Sequence, residues 1–240
     1  VKVERHYRSW LARDGLVPFR VAVQETDLYI LARTRLEQEA EEAIIGFRLQ
    51  IEGYIRANPP FQTSLVPLPA DPLAPRIVQE MLVASQLAGV GPMAGVAGAM
   101  AEFVGKALLA RTPEVVVENG GDIFLRTDTD RRIGIFADRS PLSMKVGIKI
   151  PAERMPLGVC TSSGTVGPSL SLGRADAVCI ISPSATLADA AATAVGNMVK
   201  GKGDIEEALE AGRTITGVAG VVIIVADALG AWGEYELVKL

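Results

Sequence analysis

Histidine is nearly missing from this 240-residue sequence: His6, close to the start, is the only one. Ser162 and Ser163 therefore have no nearby imidazole to activate them. No G-x-S-x-G elbow surrounds either, which sets aside acyl transfer by a serine nucleophile. Cysteine is as scarce. Cys160 and Cys179 are the only two, both within apolar stretches, and a lone pair in a chain of this length is not a disulfide scaffold. They read as small buried residues in a reducing cytoplasm. Positive charge is in deficit, with 24 Lys and Arg against 28 Asp and Glu and a formal net charge of −4. Nothing electrostatic thus points to nucleic acid or an anionic membrane surface as a partner. No apolar run approaches the roughly 20 residues that cross a bilayer, and residues 1–10 are too charged for the apolar part of a signal sequence. The expectation is a soluble cytoplasmic protein with neither nucleic acid nor membrane as partner. Repeats and low-complexity tracts are also lacking.

What is present is a chain that is 49% hydrophobic, ample for a large core and read here as one domain over residues 1–240. Residues 17–32 read as a hairpin: Val21 and Val23 alternate with Ala22 and Gln24, Glu25-Thr26-Asp27 turns, and residues 28–32 return. Thr34 opens a helix, with Glu37 placed to complete a capping box. Leu36, Ala40, Ile44, Phe47, Ile51 and Ile55 recur at helical spacing as its buried side, and Asn58-Pro59-Pro60 ends it. Six prolines between Pro59 and Pro75 predict an extended, stiff connection. A second helix spans residues 76–87, buried through Ile77, Met81 and Leu82 and ended by Gly89, Gly91 and Pro92.

Residues 93–110 form a helix rich in small side chains (Ala94, Gly95, Ala97, Gly98, Ala101, Gly105), interrupted by Glu102 and Lys106. Small residues admit the close approach of either a second helix or a ligand, and the composition does not choose between them. Val115–Glu118 reads as a buried strand. Asn119-Gly120-Gly121-Asp122 reads as a turn whose exposed N–H groups suit an anion or a ring carbonyl. Asp122 has two readings, a turn-stabilising side chain or a pocket acid. Residues 133–137, 144–150 and 157–161 read as strands of an antiparallel meander. The polar loop from Thr161 to Ser171 suits a nest for phosphate oxygens but lacks the lysine of a P-loop.

Residues 177–181 read as a buried strand. A helix follows, capped by Ser182 or Ser184 and entered through Pro183. On it Asp189 and Thr193 stand four residues apart, so a carboxylate and a hydroxyl project from one face. That is half of a hard-cation site. A short amphipathic helix over residues 204–211 and strands over 218–226 and 233–240 complete the chain, with Gly230 and Trp232 at the turn between the strands.

The helix SATLADAAATA (residues 184–194), the strand and turn over Val115–Ile123, the Thr161-Ser162-Ser163-Gly164 segment and the small-residue helix over residues 94–109 form an ordered set. In that order they resemble the ApbE-type FAD:protein FMN transferases, over about the last two thirds of the chain. In that family the Asp and Thr of A-D-x-x-x-T bind a divalent cation. The resemblance implies an α+β, ApbE-like (T-fold-like) architecture, mostly antiparallel sheet packed with helices. It implies Mg²⁺ held by Asp189, Thr193 and one backbone carbonyl, that of Ala97 or its neighbour Val96. It also implies FAD, as ligand or substrate, met by Asn119, Gly120, Gly121 and Asp122 and by Thr161, Ser162, Ser163 and Gly164. The implied reaction cleaves the FAD pyrophosphate and passes FMN to water or to a Thr hydroxyl of a protein acceptor.

Two departures stand out. Ala97 replaces the family's lysine before Gly98, and the interval between Gly164 and Asp189 holds no counterpart of its catalytic histidine. The leading reading is a Mg²⁺-dependent flavin-nucleotide protein with its catalytic residues unassigned. The alternative is a flavin- or nucleotide-binding carrier or sensor without transfer chemistry, and a third reading is an unrelated anionic metabolite on the same fold. Arg174 has two readings, a positive charge for the phosphates or a surface ion pair with Asp176.

Overall fold

A computed structural model describes residues 15–164 and 173–240. The chain opens with β1 (Val17–Val23) and β2 (Thr26–Ala32), then helices α1 (Glu37–Ala57), α2 (Pro60–Thr63), α3 (Arg76–Ala88) and α4 (Val96–Leu108). Strands β3 (Val115–Asn119), β4 (Asp122–Arg126), β5 (Arg131–Gly134), β6 (Val146–Ile150), β7 (Leu157–Ser162) and β8 (Ala177–Ser182) follow. After α5 (Ala185–Met198) and α6 (Ile205–Thr214) the chain ends in β9 (Gly220–Val225), β10 (Ala228–Gly233) and β11 (Glu236–Lys239).

Among the described residues the strands form an eight-stranded sheet in the order β1-β2-β3-β4-β7-β8-β9-β10 and a three-stranded sheet in the order β11-β6-β5. Every pairing is antiparallel. Two helical excursions leave the large sheet, α1–α4 between β2 and β3 and α5–α6 between β8 and β9, and a third, between β4 and β7, carries β5 and β6 of the small sheet. The apolar faces of the helices share one core with Val115, Val117, Phe124, Cys160, Val178, Ile180, Val221 and Ile223 of the sheet. The alternate residues, among them Val116, Ile123, Leu125, Val159, Cys179, Ile181, Val222 and Ile224, share a second core with Ile133, Ile148 and Ile150 of the small sheet. The central strands are thus covered on both faces. This is why 177–181 and 221–225 read as unbroken apolar runs rather than alternating ones.

Several expectations are corrected. The first hairpin pairs Val23 with Thr26, so its turn is Gln24-Glu25, with Gln24 at φ 53°. Helix α1 starts at Glu37 with Leu36 at its cap and no side-chain cap bond, so Thr34 forms no capping box. The two residues of chain between Thr34 and the helix put its hydroxyl too early. The proline-rich connection holds one helical turn, α2, where Pro60 needs no N–H partner at a helix start. The expected meander is split, because β6 pairs with β5 and β11 whereas β7 pairs with β4 and β8. Gly230 and Trp232 lie inside β10; the turn from β9 is Ala226-Asp227, with Ala226 at φ 53°. Short apolar strands on two stacked sheets share one sequence pattern, and pattern alone does not assign them to a sheet.

Small residues set how closely α4 and α5 cross. A β-carbon on Gly98 would lie 2.2 Å from the Ala185 carbonyl oxygen, and one on Gly95 would lie 2.8 Å from that of Thr186. The small-residue helix therefore serves helix packing at these positions. Gly98→Ala is expected to destabilise the protein by about 1–3 kcal/mol through overpacking against backbone. Gly46→Ala, mid-α1 with nothing within 4 Å of the added methyl, is expected to stabilise it by about 0.5–1 kcal/mol. Urea unfolding of the two variants checks both signs.

Candidate functional site

Helices α4 and α5 cap each other. The Asp189 carboxylate, on the second turn of α5, accepts the Gly98 N–H at 2.8 Å and is also bonded by the Ala97 N–H. These are the third and second residues of α4, whose first-turn N–H groups have no partner within their own helix. In return Glu102 of α4, itself buried, receives three hydrogen bonds at Oε2 from the start of α5. The donors are Ser184 Oγ at 3.0 Å, Thr186 N at 3.0 Å and Thr186 Oγ1 at 3.1 Å. Ser184 meanwhile accepts the Leu187 N–H as the N-cap of α5. Glu102 Oε1 is held by Lys106 Nζ at 2.6 Å, one turn along α4. Each carboxylate therefore sits at the positive end of the other helix.

The β3–β4 turn closes on this crossing. Asn119 pairs with Asp122 across a two-residue loop, Gly120 at φ 72° and Gly121 at φ 111°, a left-handed pair that glycine adopts without strain. Asn119 Nδ2 donates to the Ala97 carbonyl at 3.1 Å, tying the turn to the first turn of α4. Buried Glu118 accepts the Gly121 N–H at 2.9 Å from the other side of the sheet.

Asp122 shares the helix-facing side of β4 with Phe124, is buried, and is bonded by the Cys160 thiol and the Thr161 N–H. Burial first, then the negative charge of Asp189, holds its carboxyl well above the usual range. Burial likewise pushes Asp189 up to about 7, although the Gly98 and Ala97 N–H groups pull the other way. Cys160 is the cross-strand partner of Asp122, and its Sγ lies 3.3 Å from the Ala185 carbonyl. Burial and both carboxylates raise its thiol well above the ordinary value, so it is a protonated donor and not a thiolate.

The structure thus brings Ala97, Asn119, Gly120, Gly121, Asp122 and Asp189 to one place. Thr193 lies one turn further along α5, partly exposed. Ser162 faces α5, where a β-carbon on Gly196 would lie 3.7 Å from its Oγ. Thr161 is directed away from this face: it pairs with Cys179 on β8 and its hydroxyl bonds that thiol on the far side of the sheet. Ser163 and Gly164 lie past the end of β7, the Gly164 N–H donating to the Ala175 carbonyl at 2.9 Å. The rest of the expected phosphate nest, from Thr165 to Ser171, lies outside the described residues, as does His6. Arg174 is exposed, and Asp176 turns its carboxylate to the Ala226 N–H at 2.6 Å. Cavities of about 300 Å³ beside Asn197, Lys200 and Glu207 and of about 260 Å³ beside Tyr54 and Phe61 lie away from the cluster.

Sequence reasoning missed Glu102, Glu118 and Cys160 as members of this neighbourhood. An acid at position 102 in an otherwise small and apolar helix was the one available signal.

The donors fit a hard cation better than a soft one. Asp189 and Asp122 are neighbouring acids, and no cationic side chain is among the groups that shift either. The remaining donors are a hydroxyl and a carbonyl. Among the described residues no group of three or more His, Cys, Asp or Glu side chains is arranged to hold a metal. A cation here would rest on few protein oxygens and keep waters, as Mg²⁺ does. The Ala97 carbonyl, already bonded by Asn119, lies second in α4 and in line for an intrahelical N–H, so it has little capacity to spare.

Comparison with known proteins extends this picture. The family model described as AbpE bacteria matches residues 8–237. The UPF0280 protein MJ1526 of Methanocaldococcus jannaschii is 42% identical over 92% of this chain and 92% of its own length. The UPF0280 protein of Methanosarcina acetivorans is 41% identical over 82% of this chain and 78% of its own. Among solved structures, the apo flavinyl transferase ApbE of Pseudomonas stutzeri has a TM-score of 0.58 at 13% identity, over 91% of this chain and 94% of its own. The ApbE protein of Thermotoga maritima has a TM-score of 0.56 at 14% identity, over 90% and 96%. At such identity the likeness is one of fold: a large antiparallel sheet packed against helices.

The raised carboxyls carry a sign. Between the ordinary carboxyl range near pH 4 and a value of about 7, folded Asp189 keeps a proton that the unfolded chain has released, so stability falls as pH rises. Asp122 acts in the same direction. With divalent cations chelated, the melting temperature is expected to drop from about pH 5 to about pH 8, and Asp189→Asn to flatten the drop. A wild-type profile that is flat or rises over this range contradicts the assignment.

Proposed function

The chain belongs to the AbpE bacteria family, and on that premise we propose that it binds a flavin dinucleotide with the help of Mg²⁺ at the crossing of α4 and α5. Asp189 and Thr193 of α5 would hold the cation together with a carbonyl from Val96, or from Ala97 on release of its Asn119 bond, and Asp122 faces the same space. The Asn119–Asp122 turn and the Thr161–Gly164 segment would line the place of the nucleotide, and because the Gly121, Thr161 and Gly164 N–H groups are already taken by Glu118, Asp122 and Ala175, side chains would carry most of the contact. Of that segment Ser162, directed towards α5, is the side chain best placed to contribute. One observation carries the reading: two acids distant in sequence, Asp122 and Asp189, both hold their protons above the ordinary carboxyl range beside a Gly-Gly turn and a helix start, Asp189 through burial and Asp122 through burial and the charge of Asp189, with no side-chain cation among the groups that act on them. The fold shared with a protein described as a flavinyl transferase supports the ligand class.

When bound, the cation would supply charge neutralisation for pyrophosphate oxygens. The protein's own contribution would be to fix those oxygens against the Gly120-Gly121 turn and to keep water from the buried side of the sheet. A second reading, flavin binding without turnover, is favoured by a specific feature: the only imidazole of the chain is that of His6. In the first reading the FAD pyrophosphate is cleaved, AMP leaves, and FMN passes to water or to a Thr hydroxyl of a protein acceptor.

Incubating the purified protein with FAD and Mg²⁺ separates the two. AMP release supports cleavage, retained flavin without AMP supports the carrier reading, and the absence of both AMP and bound flavin overturns the proposal. Asp189→Ala is expected to abolish the Mg²⁺ dependence of flavin binding, measured by flavin fluorescence with and without EDTA. An unchanged Mg²⁺ dependence in that variant contradicts the metal assignment.

A further inference from the structure

Resting on the reading above, we infer that Glu102 is a positioning residue for the Asp189 site. It contributes no atom to the cation or the nucleotide, and acts by fixing where α5 crosses α4. Three hydrogen bonds from the first residues of α5 converge on its single Oε2. Three residues beyond Thr186 on the same helix, Asp189 reaches back to the Gly98 N–H, and Gly98 is four residues before Glu102 on α4. The two caps thus close a ring in which each helix supplies one carboxylate and one helix start. Gly95 and Gly98 allow no slack, since a β-carbon at either would strike α5 backbone.

A shift of α5 along α4 that loosened the Glu102 cap would also carry Asp189 and Thr193 away from the Ala97 carbonyl. Partners that hydrogen-bond a metal ligand directly change its affinity by about 10–100-fold when removed, and Glu102, which acts through the helix crossing, is expected at the lower end of that range. Lys106, bonded to the other oxygen of Glu102, orients the carboxylate from the solvent side.

Calorimetric Mg²⁺ titration of the full chain tests this, run below the melting point of every variant. Glu102→Ala leaves the Ser184 and Thr186 donors without their acceptor and is expected to weaken Mg²⁺ binding about tenfold. Glu102→Gln keeps an acceptor oxygen for the same donors and is expected to recover most of the affinity. A purely structural cap would lower the melting temperature of Glu102→Ala and leave its Mg²⁺ affinity at the wild-type value, which overturns the inference while the site reading stands.

If the wild type itself takes up no Mg²⁺, the site reading falls. The ring is then judged in EDTA by a double-mutant cycle of Glu102→Ala and Asp189→Ala, each of which removes one cap. Coupled costs support it, and additive costs overturn it. Should Glu102→Ala not fold, Glu102→Asp, whose carboxylate stops short of α5, takes its place in the titration.

Discussion

The exchange of carboxylates between α4 and α5 is the interaction on which the rest of the site depends. The first N–H groups of each helix have no partner within their own helix. Each is supplied with an acceptor by the other, Gly98 by Asp189 and Thr186 by Glu102. A carboxylate at a helix start contributes about 0.3–1 kcal/mol when exposed, and up to about 2 kcal/mol when partly buried. Two such contacts in a ring matter less for their sum than for the geometry they impose. Once the crossing is fixed, the position of Asp189 is fixed with it, and so is that of Thr193 one turn on.

The sheet contributes the second constraint. Residues alternate between the helix layer and the small sheet, and β4 places Asp122 on the helix side, where Cys160 of β7 also points. The Gly-Gly turn carries Asn119 to the Ala97 carbonyl. A second acid is thereby held beside Asp189 at a cost that burial and like charge both raise. Arrangements of this kind, two acids with displaced proton affinities in one small space, recur at functional sites. They also occur in purely structural networks, and the cap made by Asp189 is itself structural. The two roles are compatible, because a carboxylate has an oxygen for each.

Much of this was legible in the sequence, and the reasons differ by element. The Ser184 cap of α5, the apolar spacing of the helices and the Gly-Gly turn depend on local chemistry that a sequence states directly, whereas the expected Thr34 cap of α1 is not formed because the helix begins two residues later. The assignment of β6 and β7 to different sheets was not legible, because buried strands on either sheet carry the same apolar pattern. Nor was the use of Glu102, since a buried acid declares itself only once the three donors of α5 are in place. Thr161 illustrates the period-two rule: Ser162, its neighbour, faces α5, and Thr161 therefore faces away. The mutual approach of Asp122 and Asp189, 67 positions apart in the numbering, is a property of the β4-β7-β8 order and of nothing nearer in sequence.

A crystal of the protein soaked with Mn²⁺, a surrogate with the same preference for oxygen ligands, tests the central claim most directly. The account predicts an anomalous peak at bonding distance from the Asp189 carboxylate and the Thr193 hydroxyl, on the side facing Asp122. A fully occupied peak elsewhere, with Asp189 still bonded only to the Gly98 and Ala97 N–H groups, would contradict it and leave that carboxylate as a helix cap alone.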